Sequence, residues 1–354
     1  MKRTSLFEKQ LALKAKMVSF AGWEMPVSYP AGIIAEHLAV RKTCGVFDIG
    51  HMGIIKIKDK NEKRKAEEFL NKIATNDVSG LADFSSQYSV VCNEQGGVID
   101  DILVYKLPGY FFVIANASNA EKVLRWFSAR AEGVTIEQLS NLMLLAIQGP
   151  SSLTKAEQLF GSAARLKDLP RNHCVWVEDI LVSHTGYTGE KGLELFVPTE
   201  KAGELWDKII DLKIQPCGLG SRDTLRVEAG LPLYGHEYTE EISPLEAGYG
   251  WAVKFEKKEF IGKEKLFEQK EHKPAKKLVG IIFHGKAVPR GGSKIYDGAE
   301  LIGQATSGTY SPVLEKPIAL AYINYGFMKS EVQAEVRGIK VPGTIIALPF
   351  YKHA

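Results

Sequence analysis

Cysteine is scarce, four in 354 residues, and Cys44, Cys92, Cys174 and Cys217 stand far apart with no CxxC and no histidine at ligand spacing. That pattern argues against a disulfide scaffold or a zinc site, so reduced structural thiols and no metal are expected. Charge of one sign is also lacking. The 45 Lys and Arg against 42 Asp and Glu leave a formal charge of +3, too balanced for a nucleic-acid binder. No run approaches about 18 apolar residues, which excludes a helical membrane span. The opening "MKRTSLFEKQLALKAKM" is basic but has neither an apolar core nor a small-residue cleavage site, so a cytoplasmic location is expected. Also missing are GxSxG, HExxH, an activated-cysteine signature, GxGxxG and GxxxxGK[ST]. Covalent catalysis, metal hydrolysis and dinucleotide binding therefore have little support.

With 45% hydrophobic and 25% charged residues, the chain has the composition of a globular protein able to bury a large core. "GIIKIKDK" from Gly53 alternates like a strand, and "NEKRKAEEFLNKIAT" spaces Ala66, Phe69, Leu70 and Ile73 like a helix. "QYSVVC", "GVIDDILVYKL" and "YFFVIANA", separated by "NEQGG" and "PG", predict an antiparallel meander. Ser118 with Glu121, and Thr154 with Glu157, have capping-box spacing. Between Thr135 and Pro198 strands alternate with helices, which favours α+β over a doubly wound parallel sheet. The Lys/Glu-rich stretch from Lys254 to Lys277 predicts a solvated helix and linker. Beyond it, short strands with Gly and Pro turns predict a separate all-β domain.

Four clusters could carry chemistry. In "NEQGGVIDDILVYK" the neighbours Asp100 and Asp101 must face opposite ways in a strand, so one carboxylate points with Ile99, Leu103 and Tyr105 into packed surroundings. In "YTGEKGLELF", Tyr187 and Glu194 flank a glycine-rich turn that a hairpin alone would also explain. In "GLGSRDTLRVEAGLPLYGHE", Arg222 and Arg226 lie at i and i+4 on a short helix that Gly230 ends, ahead of His236 and Glu237. Arg290 in "VPRGGS" is the fourth. Carboxylates, tyrosines and arginines suit a flat, polar, partly anionic ligand. A pterin ring, for example, offers an N–H and an NH2 that one carboxylate can accept together.

"FAGWEMPV", "GVFDIGHMG", "GGVIDD", "AIQGP", "YTGEKGLE", "DTLRVEAGLPLYGHE", "WAVKF" followed by "FIGKEKL", and "GQATSGTYSPVL" occur in this order along the chain. In these motifs, and over essentially its whole length, it resembles the T-protein family, the aminomethyltransferases of the glycine cleavage system. The resemblance implies a three-domain cloverleaf around a central folate cavity. A discontinuous first domain would span 1–52 and 141–246, a meander domain 53–140, and a C-terminal all-β domain of barrel or jelly-roll type 247–354. It also implies tetrahydrofolate as co-substrate, a lipoyl group supplied by the H-protein, and cooperation with the P- and L-proteins. Carried over by position, the family's essential aspartate falls on Asp101. Met52, Tyr88, Tyr105 and Asn116 fall on folate-site positions, Tyr187 and Glu194 on the pterin-side pair, and Arg226 and Arg290 on basic positions near the folate. Asp100, on the other strand face, is then expected to be the more tolerant of the two aspartates.

The fold also resembles folate-dependent demethylases, but those usually carry a flavin domain, for which this chain has no fingerprint. A non-enzymatic folate-binding paralogue would carry a "KGCYxGQ" motif. The corresponding stretch here, "VKFEKKEFIGK", has no cysteine.

Overall fold

The computed structural model describes residues 1–61 and 63–352. Glu62, inside the helix expected after Asn61, and the last two residues of the expected all-β domain lie outside the described residues. The chain divides into two compact units. One comprises Met1–Leu70, Val78–Tyr88 and Ile102–Asp223, and the other Asn71–Asp77, Ser89–Asp101 and Thr224–Ala354.

The first unit is organised by a six-stranded sheet in the order Cys174–Val177, Ile180–Ser183, Gly192–Pro198, Leu142–Gln148, Gly45–Asp48, Gln215–Cys217. Its pairs are antiparallel except the last, which is parallel. Leu142–Gln148 is buried from Met143 onward, as a run of consecutive apolar residues requires when both faces of a strand are covered. The helix Ala202–Asp211 buries Ala202, Leu205, Trp206 and Ile209, an i, i+3, i+4, i+7 stripe, in the same core as Leu145, Ile147 and Leu195. Trp206 is among the largest fully buried side chains, and truncating such a residue to alanine costs about 3 to 5 kcal/mol.

The expected meander is present. Ser85–Cys92, Val98–Leu107 and Tyr110–Ala115 are neighbours in a five-stranded sheet completed by Gly53–Asp59 and Val134–Leu139. Two anticipated capping boxes are absent. The helix Ala120–Ser128 starts after Asn119 with no side-chain cap, which puts Glu121 one position too early, and Glu121 pairs with Lys2 at 3.2 Å instead. Thr154 lies inside the helix Ser152–Phe160, and Glu157 accepts from Lys167 at 2.9 Å.

In the second unit, Lys276–Phe283, Lys316–Asn324, Glu300–Ser311, Lys294–Asp297, Glu331–Val336 and Ile339–Ile346 close into a barrel in that order. Ile281, Phe283, Ile295, Ala319, Ala321 and Ala334 fill its core. Closure leaves no free sheet edge. Helices interspersed with antiparallel sheets, followed by an all-β barrel, make the fold α+β. The charged stretch before the barrel holds the expected helix, Lys263–His272, but Lys257 within that stretch is buried, 8% exposed. The pattern of alternating charges hid this because a lysine can sink its stem and turn its ammonium onto backbone carbonyls.

Candidate active site

In the first unit, Glu194 lies on the strand Gly192–Pro198, opposite Ala146. Thr185 Oγ1 donates to Glu194 Oε2 at 2.6 Å, and Tyr105 OH stands 3.0 Å from the same hydroxyl. A hydroxyl has one proton, so with Thr185 committed to the carboxylate, Tyr105 is the donor to Thr185. Tyr105 is fully buried, edge-on to Phe196 with ring centroids 5.0 Å apart. Burial, and then the Glu194 charge, push its phenol well above the usual range, so it remains a donor.

The turn before this strand carries Tyr187, and the Arg222 guanidinium lies over its ring, 4.8 Å from the centroid. Burial lowers the Arg222 pKa, opposed by Glu194 and Tyr187; an arginine so placed stays charged. Arg222 is partly exposed as a residue, yet its Nη1 is out of solvent and has no hydrogen-bond partner among the described residues. The same holds for Nδ1 of the buried His51. Burial, and then the Arg222 cation, pull the His51 imidazole down to about 3, so it is neutral at pH 7. Glu194, Tyr187, Arg222 and His51 thus form a cluster containing one anchored carboxylate, a cation stacked on an aromatic ring and two buried nitrogens without partners among the described residues.

In the second unit, Asp101 is partly exposed on Val98–Leu107, whereas Asp100 is fully buried. Replacing Asp100 therefore carries a cost in stability, beside the tolerance in turnover expected of it. The strand is packed on both faces, with Ile99 at 2% and Tyr105 at 0% on Asp101's side and Ile102 and Val104 on Asp100's, so alternation alone could not say which carboxylate is enclosed. The Tyr249 phenol is pushed up by burial and then by the Asp101 and Glu237 carboxylates, against the pull of Arg226. That places Tyr249 within electrostatic reach of Asp101. Arg226 is 1% exposed; its Nη1 donates to Glu237 Oε2 at 2.7 Å and to Leu231 O at 3.1 Å, and its Nη2 donates to Ser307 Oγ at 2.6 Å. Thr306 Oγ1 donates to the other Glu237 oxygen at 2.5 Å. Arg226 is therefore the hub of a buried brace.

Of the other expected site residues, Met52, Tyr88 and Asn116 are partly exposed, Tyr88 on Ser85–Cys92 and Asn116 just after Tyr110–Ala115. Arg290 is exposed and donates from Nη1 to Gly308 O at 2.8 Å. Sequence reasoning named Arg222 only as one of two helix arginines and missed His51 and Tyr249. His51 was in view inside "GHMG", next to the chosen Met52. Among the described residues no group of three or more His, Cys, Asp or Glu could hold a metal ion, and no helix is long and apolar enough to cross a membrane. The four cysteines are buried and free.

The family model of the GCVT N-terminal domain matches residues 6–257, and that of the glycine cleavage T-protein C-terminal barrel domain matches residues 276–352. The chain belongs to the glycine cleavage T-protein family. It is 43% identical over 365 residues to an aminomethyltransferase of Desulforamulus reducens, covering 99% of this chain and 98% of that one. To the aminomethyltransferase of Geobacillus sp. strain WCH70 it is 43% identical over 367 residues, covering all of both. The crystal structure of glycine cleavage system aminomethyltransferase T from Bartonella henselae superposes with a TM-score of 0.93 at 32% identity, over 99% of this chain and 98% of that one. Family membership therefore extends to both the mixed α+β region and the barrel.

Proposed function

We propose that this member of the family, an aminomethyltransferase of glycine cleavage, transfers a one-carbon unit to tetrahydrofolate. The aminomethyl group carried on the lipoyl arm of an H-protein becomes 5,10-methylenetetrahydrofolate, releasing ammonia and dihydrolipoyl H-protein. The observation that carries the folate reading is Glu194, a carboxylate anchored by Thr185 with the Arg222 guanidinium in the same cluster. Such a group accepts the paired N–H and NH2 of a pterin, and the buried Arg222 Nη1, without a partner among the described residues, suits a ligand that also brings an acceptor, such as the ring's carbonyl oxygen; His51 Nδ1, likewise without one, donates or accepts according to the tautomer of the neutral ring. In this reading Tyr187 and Glu194 form the pterin side. Tyr105 acts through Thr185 on Glu194, and Met52, Tyr88 and Asn116 line the folate.

Asp101 is assigned the catalytic role. Expelling ammonia from a carbon held between sulfur and nitrogen needs a protonated amine and leaves positive charge on that carbon. A fixed carboxylate stabilises the charge and orients the attacking folate nitrogen, with no covalent enzyme intermediate. Arg226 and Arg290 belong to the proposal as basic groups near the folate, with Arg226 acting through its brace. The partition into 1–52 with 141–246, 53–140 and 247–354, the cytoplasmic location and the cooperation with P- and L-proteins are part of the same reading. The deciding experiment incubates the protein with aminomethyl-loaded, lipoylated H-protein and tetrahydrofolate and follows ammonia and methylenetetrahydrofolate. Equal formation of both supports the proposal; folate-independent ammonia release at the same rate, or no product, overturns it.

A further inference from the structure

The turn that carries Tyr187 is wrapped around a single buried amide. Gln148, the last residue of Leu142–Gln148, is 0% exposed. Its Nε2 donates to Thr185 O at 3.2 Å, where the chain enters the turn, and to Leu193 O at 3.4 Å, where it leaves. Its Oε1 accepts from Thr188 Oγ1 at 3.0 Å, in the middle. The amide thus spends two donors and one acceptor on three points of one loop, a set that only a carboxamide of this length supplies.

The loop's glycines fit the same template. A Cβ on Gly186 or on Gly192 would collide with the Gln148 amide, so glycine there reflects close approach rather than hairpin geometry alone. On the far side, Arg41 Nη1 donates to Thr188 O at 2.7 Å and to Glu190 Oε1 at 3.0 Å, a buried pair with side chains 3% and 0% exposed. Glu190 N donates to Thr188 Oγ1 at 3.3 Å.

We propose that Gln148 is a positioning residue of this enzyme, holding Tyr187 and Glu194 at the spacing a pterin requires by ordering the turn between them. Thr188 is its relay to the Arg41–Glu190 pair. The inference rests on the reading of Tyr187 and Glu194 as the pterin-side pair. Neither Gln148 nor Thr188 need touch the ligand. They fix the two groups that do, so disorder in the turn is felt as weaker binding of the ring those groups hold.

Gln148→Glu has the same shape but turns two donors into a carboxylate facing two carbonyl oxygens. It should raise the Kd for tetrahydrofolate tenfold or more and raise KM for tetrahydrofolate in parallel, with a much smaller change in kcat at saturating folate and in KM for the loaded H-protein. Thr188→Val should weaken tetrahydrofolate binding in the same selective way, and Thr188→Ser, which keeps the hydroxyl, should restore it. If Gln148→Glu does not fold, the Thr188 pair decides alone. Wild-type protein that fails to bind tetrahydrofolate in the titration overturns the functional reading and this inference with it. Wild-type protein that binds, with Gln148→Glu and Thr188→Val binding equally well, overturns this inference alone. A uniform loss in kcat and in both KM values also overturns it, because that is what general loosening of the fold would give.

Discussion

Arg222 and Arg226 stand one turn apart on the helix Leu219–Glu228, and they have opposite surroundings. Arg226 is enclosed, with its donors engaged by Glu237, Leu231 and Ser307. Arg222 lies across the Tyr187 ring near Glu194, with its buried Nη1 lacking a partner among the described residues. An arginine whose two terminal nitrogens are both engaged by buried groups serves stability. One that keeps a buried donor in reserve beside a carboxylate and an aromatic ring is equipped for a ligand. On this contrast, replacing the first is predicted to strand Glu237, and replacing the second to leave the fold standing but weaken binding.

The largest test of this contrast is Arg226→Met. It leaves the fully buried Glu237 without its cation and should lower stability by about 3 to 5 kcal/mol in urea unfolding. Arg222→Met removes a cation that nothing buried depends on to the same degree, and its cost should be far smaller. Equal losses would erase the distinction. A second contrast of nearly the same size separates the adjacent aspartates. Asp101→Asn should cost about 100- to 1,000-fold in kcat with unfolding close to wild type. Asp100→Asn, at a fully buried position, should instead lower stability by about 1 to 3 kcal/mol while sparing turnover at a temperature where it is folded. Near-normal turnover of Asp101→Asn would remove it from the chemistry.

The two contrasts mark what was legible in the sequence. Periodicity found the meander, the helices and the β-rich end, because those depend on local alternation and spacing. The motifs in order pointed to the family and brought Tyr187, Glu194 and Asp101 into view. Periodicity could not rank Asp100 against Asp101, since a strand covered on both faces offers two insides. It could not separate Arg222 from Arg226 either: i and i+4 put both on one helix face, and which one meets Glu237 depends on the residues after Gly230 folding back. Gln148 was invisible as a site residue because its three partners lie 37 to 45 positions away, and only tertiary structure makes its amide the centre of a loop. The capping boxes failed for a local reason, a shift in where each helix begins, by one residue at Asn119 and by three at Ser151.

A smaller effect sharpens the ligand side. Glu194→Gln keeps the shape but removes the charge that a pterin's donor pair would meet, and should weaken tetrahydrofolate by about 1.5 to 3 kcal/mol, roughly 10- to 150-fold, in a direct titration. Arg222→Lys should fall in the same range, because an ammonium cannot reproduce both the stacking on Tyr187 and the fork of donors. Unchanged folate affinity in Glu194→Gln would move the pterin elsewhere.

A last effect, spread over a range of pH, concerns a third cation, Lys257, which resembles Arg226 in burial but donates to backbone carbonyls, Ala74 O at 2.5 Å and Asn76 O at 2.9 Å, rather than to a carboxylate. Burial lowers its pKa to about 8, with Lys263 adding to the shift and Asp77 and Glu256 opposing it. In the unfolded chain a lysine titrates near 10.4. Between about 8 and 10.4 the unfolded state therefore holds a proton that the folded state has released, and stability contributed by this group rises with pH across that window, by at most about 1.4 kcal/mol per unit. Below pH 8 the folded protein carries the cost of a desolvated ammonium. Buried phenols and thiols titrate in the opposite sense at high pH, so the comparison must be with Lys257→Met, in which their contribution is retained. Urea unfolding from pH 7 to 10.5 should show wild type gaining on the variant as pH rises. Parallel curves would mean that Lys257 keeps its proton as easily folded as unfolded, and that two backbone carbonyls satisfy a buried ammonium as fully as Glu237 satisfies Arg226.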